Sequence, residues 1–494
     1  MKILIENGNV CSLDLPLKFA QKLYNEFAIR HPNAFYLRTR QRGMQNWDGK
    51  IHYITKTGQF KIGLLPKVYD MCIEMGIKPK VVDMRQPLPK VSKVVTKIGK
   101  YKLRPEQEKA VKSVINNRVG DTPFHIGVLD YTVNAGKTLI MSSLYLTYKK
   151  QLKTLLITND SDWLNQAREE FKQYLPGEDI TFVQGKVLNW SNFTIGMVQS
   201  ISRNMRFYQK ELSQIDMVLV DEADQGGSKQ YQNVITRLFN TRIRIGLSGT
   251  IYMSKLAKDK VKNMNLECFF GKVIAEFKLK DSIKKGYSTK TVVKMVPGKP
   301  WYGNWESDCI SYKEIYDDSI TENNTAWTMA YNRLRWNINQ GRYPALVVCK
   351  HIAHCENLYK FFKKKLGDAY NIAYVHVNTK SKLRQQIMKD FRDGKIDILV
   401  STTIIARGKN FPKLRYLLNA ASMDSQEKSI QFLGRLVRTD KSKKKVYLDD
   451  LHYPGPYLDR HGKHRKQYYQ RQELKVILLD KLWKKHPNHS LIKS

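Results

Sequence analysis

The sequence predicts an α/β fold: two tandem parallel-sheet domains, a small α+β unit before them and a basic helical extension after them. Three observations predict it. From Tyr101 to about Phe277, short apolar strands alternate with helical stretches. After a polar stretch the same alternation resumes at Ala345. Parallel sheets covered by helices have this pattern. The 494 residues also allow about three domains, at roughly 150 residues each.

Taken in order, residues 1–98 read as the α+β unit. Lys2–Ile5 and Phe35–Leu37 look like strands and Pro16–Arg30 like a helix. Ile51–Ile54 and Phe60–Ile62 look like a hairpin around Thr57-Gly58. The stretch Pro87-Leu88-Pro89 punctuates the chain. The first α/β domain, 99–277, has strands at Gly127–Leu129, Thr154–Thr158, Thr194–Val198, Met217–Val220 and Arg244–Ser248. Residues 278–324 read as a linker region. The second domain, 325–455, has strands at Ala345–Cys349, Ala373–Val377, Ile396–Ser401 and Tyr416–Ala420. Residues 456–494 form the basic extension, with a helix through Arg460, Lys463, Arg465 and Lys466.

Composition narrows the function. Lys plus Arg number 85 against 45 Asp plus Glu, a net charge of +40. The basic residues run through the whole chain, so the expected partner is a polyanion held on folded domains. Nucleic acid is the first candidate and an anionic membrane surface the second. No apolar run approaches the ~18 residues of a membrane span, and the start lacks a signal peptide's apolar stretch. Cytoplasmic placement is the expectation. Six cysteines, none in a C-x-x-C pair, fit a reducing compartment. Cys349, His351, His354 and Cys355 cluster just after a predicted strand, but no second ligand pair stands at zinc spacing.

The sharpest motif is Val133-Asn134-Ala135-Gly136-Lys137-Thr138, after a predicted strand and before a predicted helix. Backbone N–H groups of Asn134, Ala135 and Gly136 would cradle phosphate oxygens there. Lys137 would neutralise the β/γ-phosphates, and Thr138 would hold Mg²⁺. Tyr131 stands where the usual loop has its first glycine. Downstream, the strand Met217–Val220 ends in Asp221-Glu222-Ala223-Asp224. Asp221 can reach Mg²⁺ and Glu222 can polarise an attacking water. The alternative reading of these carboxylates is a capped helix start, which the upstream phosphate loop outweighs.

Further motifs follow in order: Ser248-Gly249-Thr250, then Ser401 to Pro412 including Gly408, then Gln431-Phe432-Leu433-Gly434-Arg435-Leu436-Val437-Arg438. Together these resemble the motifs of superfamily-two helicases. The resemblance implies two RecA-like domains with ATP and Mg²⁺ between them. It implies Gly408 near the nucleotide, and Gln431, Arg435 and Arg438 at the γ-phosphate. Arg435 and Arg438 are read as one helical face at i and i+3. Gln107 resembles the glutamine that reads the adenine edge, with an ordinary polar helix-start residue as the alternative.

The element Arg38 to Ile51, with Asn46-Trp47-Asp48-Gly49-Lys50-Ile51, resembles that of a DNA helicase group of T-even bacteriophages. This implies an ATP hydrolase and helicase acting on branched DNA and R-loops in phage recombination, replication and repair. The implied partners are branched or duplex DNA, single-stranded DNA and RNA–DNA hybrids, with no membrane and a monomeric chain. Arg38, Arg40 and Arg42 can bind phosphates, and Trp47 either stacks on a base or belongs to the core. Strand-end loops around Gln199, Lys350 and Thr402 are the other expected nucleic-acid contacts. The C-terminal basic helix is either a second duplex contact or a solvated face. A duplex translocase that does not separate strands, and a binding protein with a lost ATPase, are the rival readings.

Overall fold

The computed structural model describes residues 1–40, 44–148, 151–185, 189–251, 257–298, 311–406 and 411–479. Arg42 and Gly408 lie outside the described residues. The chain divides into two units, Met1–Phe277 and Lys278–Ser494. No helix among the described residues is long and apolar enough to cross a membrane.

The first unit opens with strands β1 (Lys2–Ile5), β2 (Val10–Asp14), β3 (Gln59–Lys61) and β4 (Lys80–Asp83) in the order β3-β2-β1-β4. Helices α1 (Leu17–Glu26), α2 (Ala34–Arg40) and α3 (Leu65–Glu74) accompany them. Phe35–Leu37, expected as a strand, lies inside α2. The Thr39 hydroxyl donates to the carbonyls of Phe35 and Tyr36 at 3.0 and 3.1 Å, and Ala34 and Leu37 form the inward stripe at i and i+3. The expected hairpin at 51–62 is reduced to its turn, an Ile54–Phe60 bridge closed by Thr55 N donating to Gln59 O at 2.8 Å. Its first arm pairs instead with Ala28–Arg30, and its second joins β2.

Next come α4 (Pro105–Ile115), β5 (Ile126–Tyr131), α5 (Lys137–Thr147), β6 (Thr154–Thr158), β7 (Ile180–Val183) and β8 (Phe193–Met197). They are followed by α6 (Val198–Arg203), β9 (Met217–Asp221), β10 (Ile243–Ser248) and β11 (Val273–Phe277). The strands form one parallel sheet in the order β7-β8-β6-β9-β10-β5-β11. β6, β9 and β10 are buried along their whole length, as apolar strands covered on both faces must be.

The expected boundary at residue 98 marks a change of sheet, not a break in packing. One apolar core runs from Ile3 and Val68 through Val220 to Phe270. The fully buried Arg244 donates to Gly8 O at 2.6 Å, Asn9 Oδ1 at 2.8 Å and Phe269 O at 3.2 Å. A Cβ on Gly8 or Gly63 would collide with the backbone of Phe239 or Cys268. Only glycine allows so close an approach between the two layers.

The second unit carries β12 (Lys290–Pro297), β13 (Ala345–Cys349), α7 (Ile352–Leu366), β14 (Ile372–Val375), β15 (Ile398–Thr402) and β16 (Tyr416–Asn419). It ends with α8 (Gln426–Leu436), β17 (Lys445–His452), α9 (Leu458–Arg471) and β18 (Val476–Leu478). Its parallel sheet has the order β14-β15-β13-β16-β17-β12-β18. This corrects two boundaries. The span 278–324 is not only a linker, because β12 pairs with β17 along eight residues. Its Lys290 is exposed and Lys294 half-buried, as suits a strand one place in from the edge, and this hid it among polar neighbours. The basic extension likewise supplies α9 and the edge strand β18 to the same body.

Helix α9 is not a merely solvated basic face. Arg465 is fully buried against Asp450, Nη2 to Oδ1 at 2.8 Å, and also donates to Met423 O and Leu451 O. Tyr469 Oη and Asn419 Nδ2 both donate to Asp450 Oδ2.

Candidate nucleotide site and nucleic-acid contacts

The loop after β5 is held from beneath by α4. Tyr131 occupies the position of the missing glycine, but its ring is buried beside Phe277 and its hydroxyl donates to Glu106 O at 2.7 Å. The turn closes without that glycine, through Ala135 N donating to Thr132 O and positive φ at Asn134 (65°) and Gly136 (73°). Gly136 then starts α5, which puts Lys137 and Thr138 in its first turn.

Gln107 is fully buried, with both ends of its amide engaged. Oε1 accepts from Arg104 N at 2.9 Å, and Nε2 donates to Ala135 O at 2.8 Å. Each end of the amide still keeps one further hydrogen-bonding site, so these two bonds fix the side chain against the loop without using up its donor or its acceptor. In this structure Gln107 is a clamp on the loop, and a side chain at Gly136 would collide with it.

Asp221 ends β9, and only 5% of its surface is exposed. Its Oδ1 is buried and accepts no hydrogen bond among the described residues. Burial raises its pKa, opposed by the nearby Lys137 ammonium and by the Glu222 N–H. Both polar atoms of the Asn134 side chain are likewise buried and make no hydrogen bond among the described residues. A buried acceptor and a buried amide beside an ammonium and a helix N-terminus fit a polyphosphate with its divalent ion. Thr138 and Asp221 are the residues that would hold Mg²⁺, and the ion would neutralise phosphate charge.

Glu222 adopts the left-handed conformation, φ 53° and ψ 49°. Such strain costs on the order of 1–3 kcal/mol and collects at functional sites. Asp224 is buried, which raises its pKa, and it accepts from Ser248 Oγ at 2.7 Å. Ser248 Oγ also lies 3.1 Å from Thr250 Oγ1. The S-G-T element is thereby joined to the acidic one. A second link runs from Gln225, whose Oε1 accepts from Asn159 Nδ2, to Gln199, whose Nε2 donates to Asn159 O. Gln199 Oε1 is buried and makes no hydrogen bond among the described residues. Gln199, half-buried in the first turn of α6, thus joins the network around the acidic element.

In the second unit, Ser425 caps α8, and Gln431 Nε2 donates to Glu427 Oε1 at 3.3 Å. Arg435 sits in the last turn. Arg438 lies beyond the helix, which ends at Leu436, so the two do not share a helical face. Thr289 draws the chain out of the helix: its N–H donates to Val437 O and its hydroxyl to Arg438 O. Thr402 is buried at the end of β15, its carbonyl accepting from Ser401 Oγ. Lys350 is half-buried, with Nζ 3.9 Å from the centre of the Tyr312 ring and 5.1 Å from that of Tyr316. Burial, then Lys428, lowers its pKa.

The cysteine–histidine cluster is a packing junction. Cys349, His354 and Cys355 are buried, and His354 Nδ1 lies 3.2 Å from the Tyr316 hydroxyl. Among the described residues no group of three or more His, Cys, Asp or Glu could hold a metal ion. Burial, then His351, pushes the His354 imidazole down to about 3. The unfolded chain takes up this proton near pH 6.5, so the stabilisation is full above pH 6.5 and is lost as pH falls toward 3. A His354→Gln variant is expected to flatten the acid limb of the stability–pH curve by up to about 1.4 kcal/mol per pH unit. Urea unfolding between pH 4 and 7 measures it, and an unchanged slope would refute it.

In the N-terminal layer Arg38 and Arg40 are exposed on α2. Trp47 is half-buried: its Nε1 donates to Lys50 O at 2.9 Å and its ring meets His31 edge-on. Asp48 accepts from Lys50 N and pairs with His52 at 2.7 Å, and Gly49 turns the chain at φ 78°. The N-W-D-G-K element is therefore a turn that ties down its own tryptophan. The exposed rings of this layer's helix α2 are Phe35 and Tyr36, which the sequence pattern had placed in a strand.

Comparison with known proteins agrees with this layout. Residues 100–253 match the family model "Type III restriction enzyme, res subunit", and residues 330–440 match "Helicase conserved C-terminal domain". "Putative helicase 22" of Sulfolobus islandicus filamentous virus is 23% identical over 72% of this chain. The match spans 64% of that relative's own length. The restriction-modification enzyme LlaBIII, solved bound to DNA, shares the fold with a TM-score of 0.56 at 14% identity, over 82% of this chain and 34% of that one. The structure of UvsW from phage T4 aligns over 97% of this chain and 99% of that one, at 19% identity and a TM-score of 0.44. With the two family models falling in motif order on two parallel seven-stranded sheets, the chain belongs to the superfamily-two helicases.

Proposed function

We propose that the protein is an ATP-driven helicase that opens or branch-migrates branched DNA and RNA–DNA hybrids. The observation that supports the motor most directly is the buried, unsatisfied Asp221 Oδ1 beside Lys137. Buried unsatisfied polar groups are rare, and this one is paired electrostatically with the cation of a phosphate loop. In this reading Lys137 binds the β/γ-phosphates, Glu222 takes the proton of the attacking water, and Gln431 orients at the γ-phosphate. Arg435 and Arg438 supply positive charge as the γ-phosphoryl leaves. Mg²⁺, when bound, neutralises the phosphate oxygens.

Branched DNA is proposed from the Arg38–Ile51 element and from the charge of +40. A role in phage recombination, replication and repair, as a cytoplasmic monomer, goes with that reading. A duplex translocase without strand separation is the second reading, supported by the restriction-enzyme model over 100–253.

The test is phosphate release with no nucleic acid, single-stranded DNA, linear duplex, a four-way junction and an R-loop. The expected result is strongest stimulation by the junction and the R-loop, with strand separation in the same reactions. Equal stimulation by linear duplex without separation would favour the translocase. Binding with no hydrolysis on any substrate would overturn the motor.

A further inference from the structure

Helix α2 presents a face that packing does not explain. Only Ala34 and Leu37 turn inward. Phe35 is 81% exposed, the highest value among the large hydrophobic residues described, and Tyr36 beside it is 54% exposed. Single exposed apolar residues are ordinary on a protein surface. Two adjacent rings framed by two exposed guanidinium groups are not. Arg40 lies over the Tyr36 ring, 5.0 Å from its centre, and the Thr39 hydroxyl pins the carbonyls of Phe35 and Tyr36. The helix carries no acidic residue. Trp47 is held by the Lys50 carbonyl and packed on His31, which leaves the free aromatic surface to α2.

Aromatic faces with cations at their flanks suit unpaired nucleotides: the bases stack and the phosphates meet the charges. Bases within a duplex are already stacked and cannot use such a surface. We propose that Phe35 and Tyr36 form a stacking platform for unpaired DNA bases at a branch point, with Arg38 and Arg40 on the adjoining phosphates. The proposal rests on the DNA-directed reading above and names the part of the substrate that this layer grips.

The test measures equilibrium binding by the full chain, without nucleotide, across a salt series. The probes are fluorescent oligodeoxythymidine and a blunt, closed hairpin duplex. Phe35→Ala is expected to weaken oligodeoxythymidine binding roughly tenfold while duplex affinity stays within about twofold and the salt slope is unchanged. Phe35→Trp should keep the single-strand affinity. Arg38→Ala and Arg40→Ala should weaken both probes and each lower the single-strand salt slope by about 0.7. A loss with Phe35→Ala that is equal on both probes would overturn the platform. So would no loss on oligodeoxythymidine, which would point to a protein partner for this face. Unchanged thermal melting of Phe35→Ala checks that the helix still folds. Because binding is read without ATP, a failure of the motor reading would leave this result standing.

Discussion

Glu222→Gln is expected to lower ATP turnover by roughly 10²–10⁴-fold, the range for losing a positioned general base. The change is nearly isosteric, and an amide cannot accept the proton of the attacking water. Glu222 sits at φ 53°, where most side chains are strained. Glutamine meets that backbone with the same branching at Cβ, so the substitution adds no new conformational penalty. Asp221 and Lys137 are untouched, so nucleotide binding should persist within a few fold. Steady-state phosphate release, nucleotide binding by equilibrium dialysis and a thermal melt separate these effects. Turnover above about a tenth of wild type would place the base elsewhere. Loss of nucleotide binding would mean that Glu222 holds the site together and does not act on water.

What the sequence showed depended on how locally each feature is encoded. β6, β9, β10, β13 and β15 are short apolar runs buried on both faces, so composition alone marks them. The phosphate loop is legible because its residues are contiguous. The role of Gln107 is not, because it depends on the Ala135 carbonyl meeting its amide across the fold. Helix α2 was hidden by its aromatic residues, which favour strands in the abstract, while Ala34 and Leu37 give a stripe too short to declare a period. β12 was hidden by its lysines. The exit of Arg438 from α8 is set by Thr289, far away in sequence. A chain this basic also disguises any arginine that is there for structure.

Arg465 is that case, and Arg465→Ala is expected to cost the second unit about 3–5 kcal/mol, the range for breaking a buried ion pair from one side. Arg465 and Asp450 are both fully buried and hydrogen-bonded to one another. Asp450 accepts from Arg465 Nε, Tyr469 Oη and Asn419 Nδ2, and Arg465 also holds the carbonyls of Met423 and Leu451. Burial disfavours the guanidinium charge, but the pull of Asp450 outweighs this and the pKa of Arg465 is raised overall. Truncation would leave a charged carboxylate in the interior with two neutral donors. The pair alone is weak evidence for net stability, since an apolar replacement of both members can match it. Its removal from one side is another matter. In Arg465→Met/Asp450→Asn the uncompensated charge is gone, so this double variant should recover a large part of the loss, with a coupling of about 1–3 kcal/mol in a double-mutant cycle. The effect should reach the nucleotide chemistry, because Asn419 and Met423 lead into α8, which carries Gln431 and Arg435. Guanidinium unfolding and turnover at the same temperature would show both. A loss below about 1 kcal/mol from Arg465→Ala would mean that water reaches the pair, that α9 is loosely attached, and that the basic extension is available to nucleic acid after all.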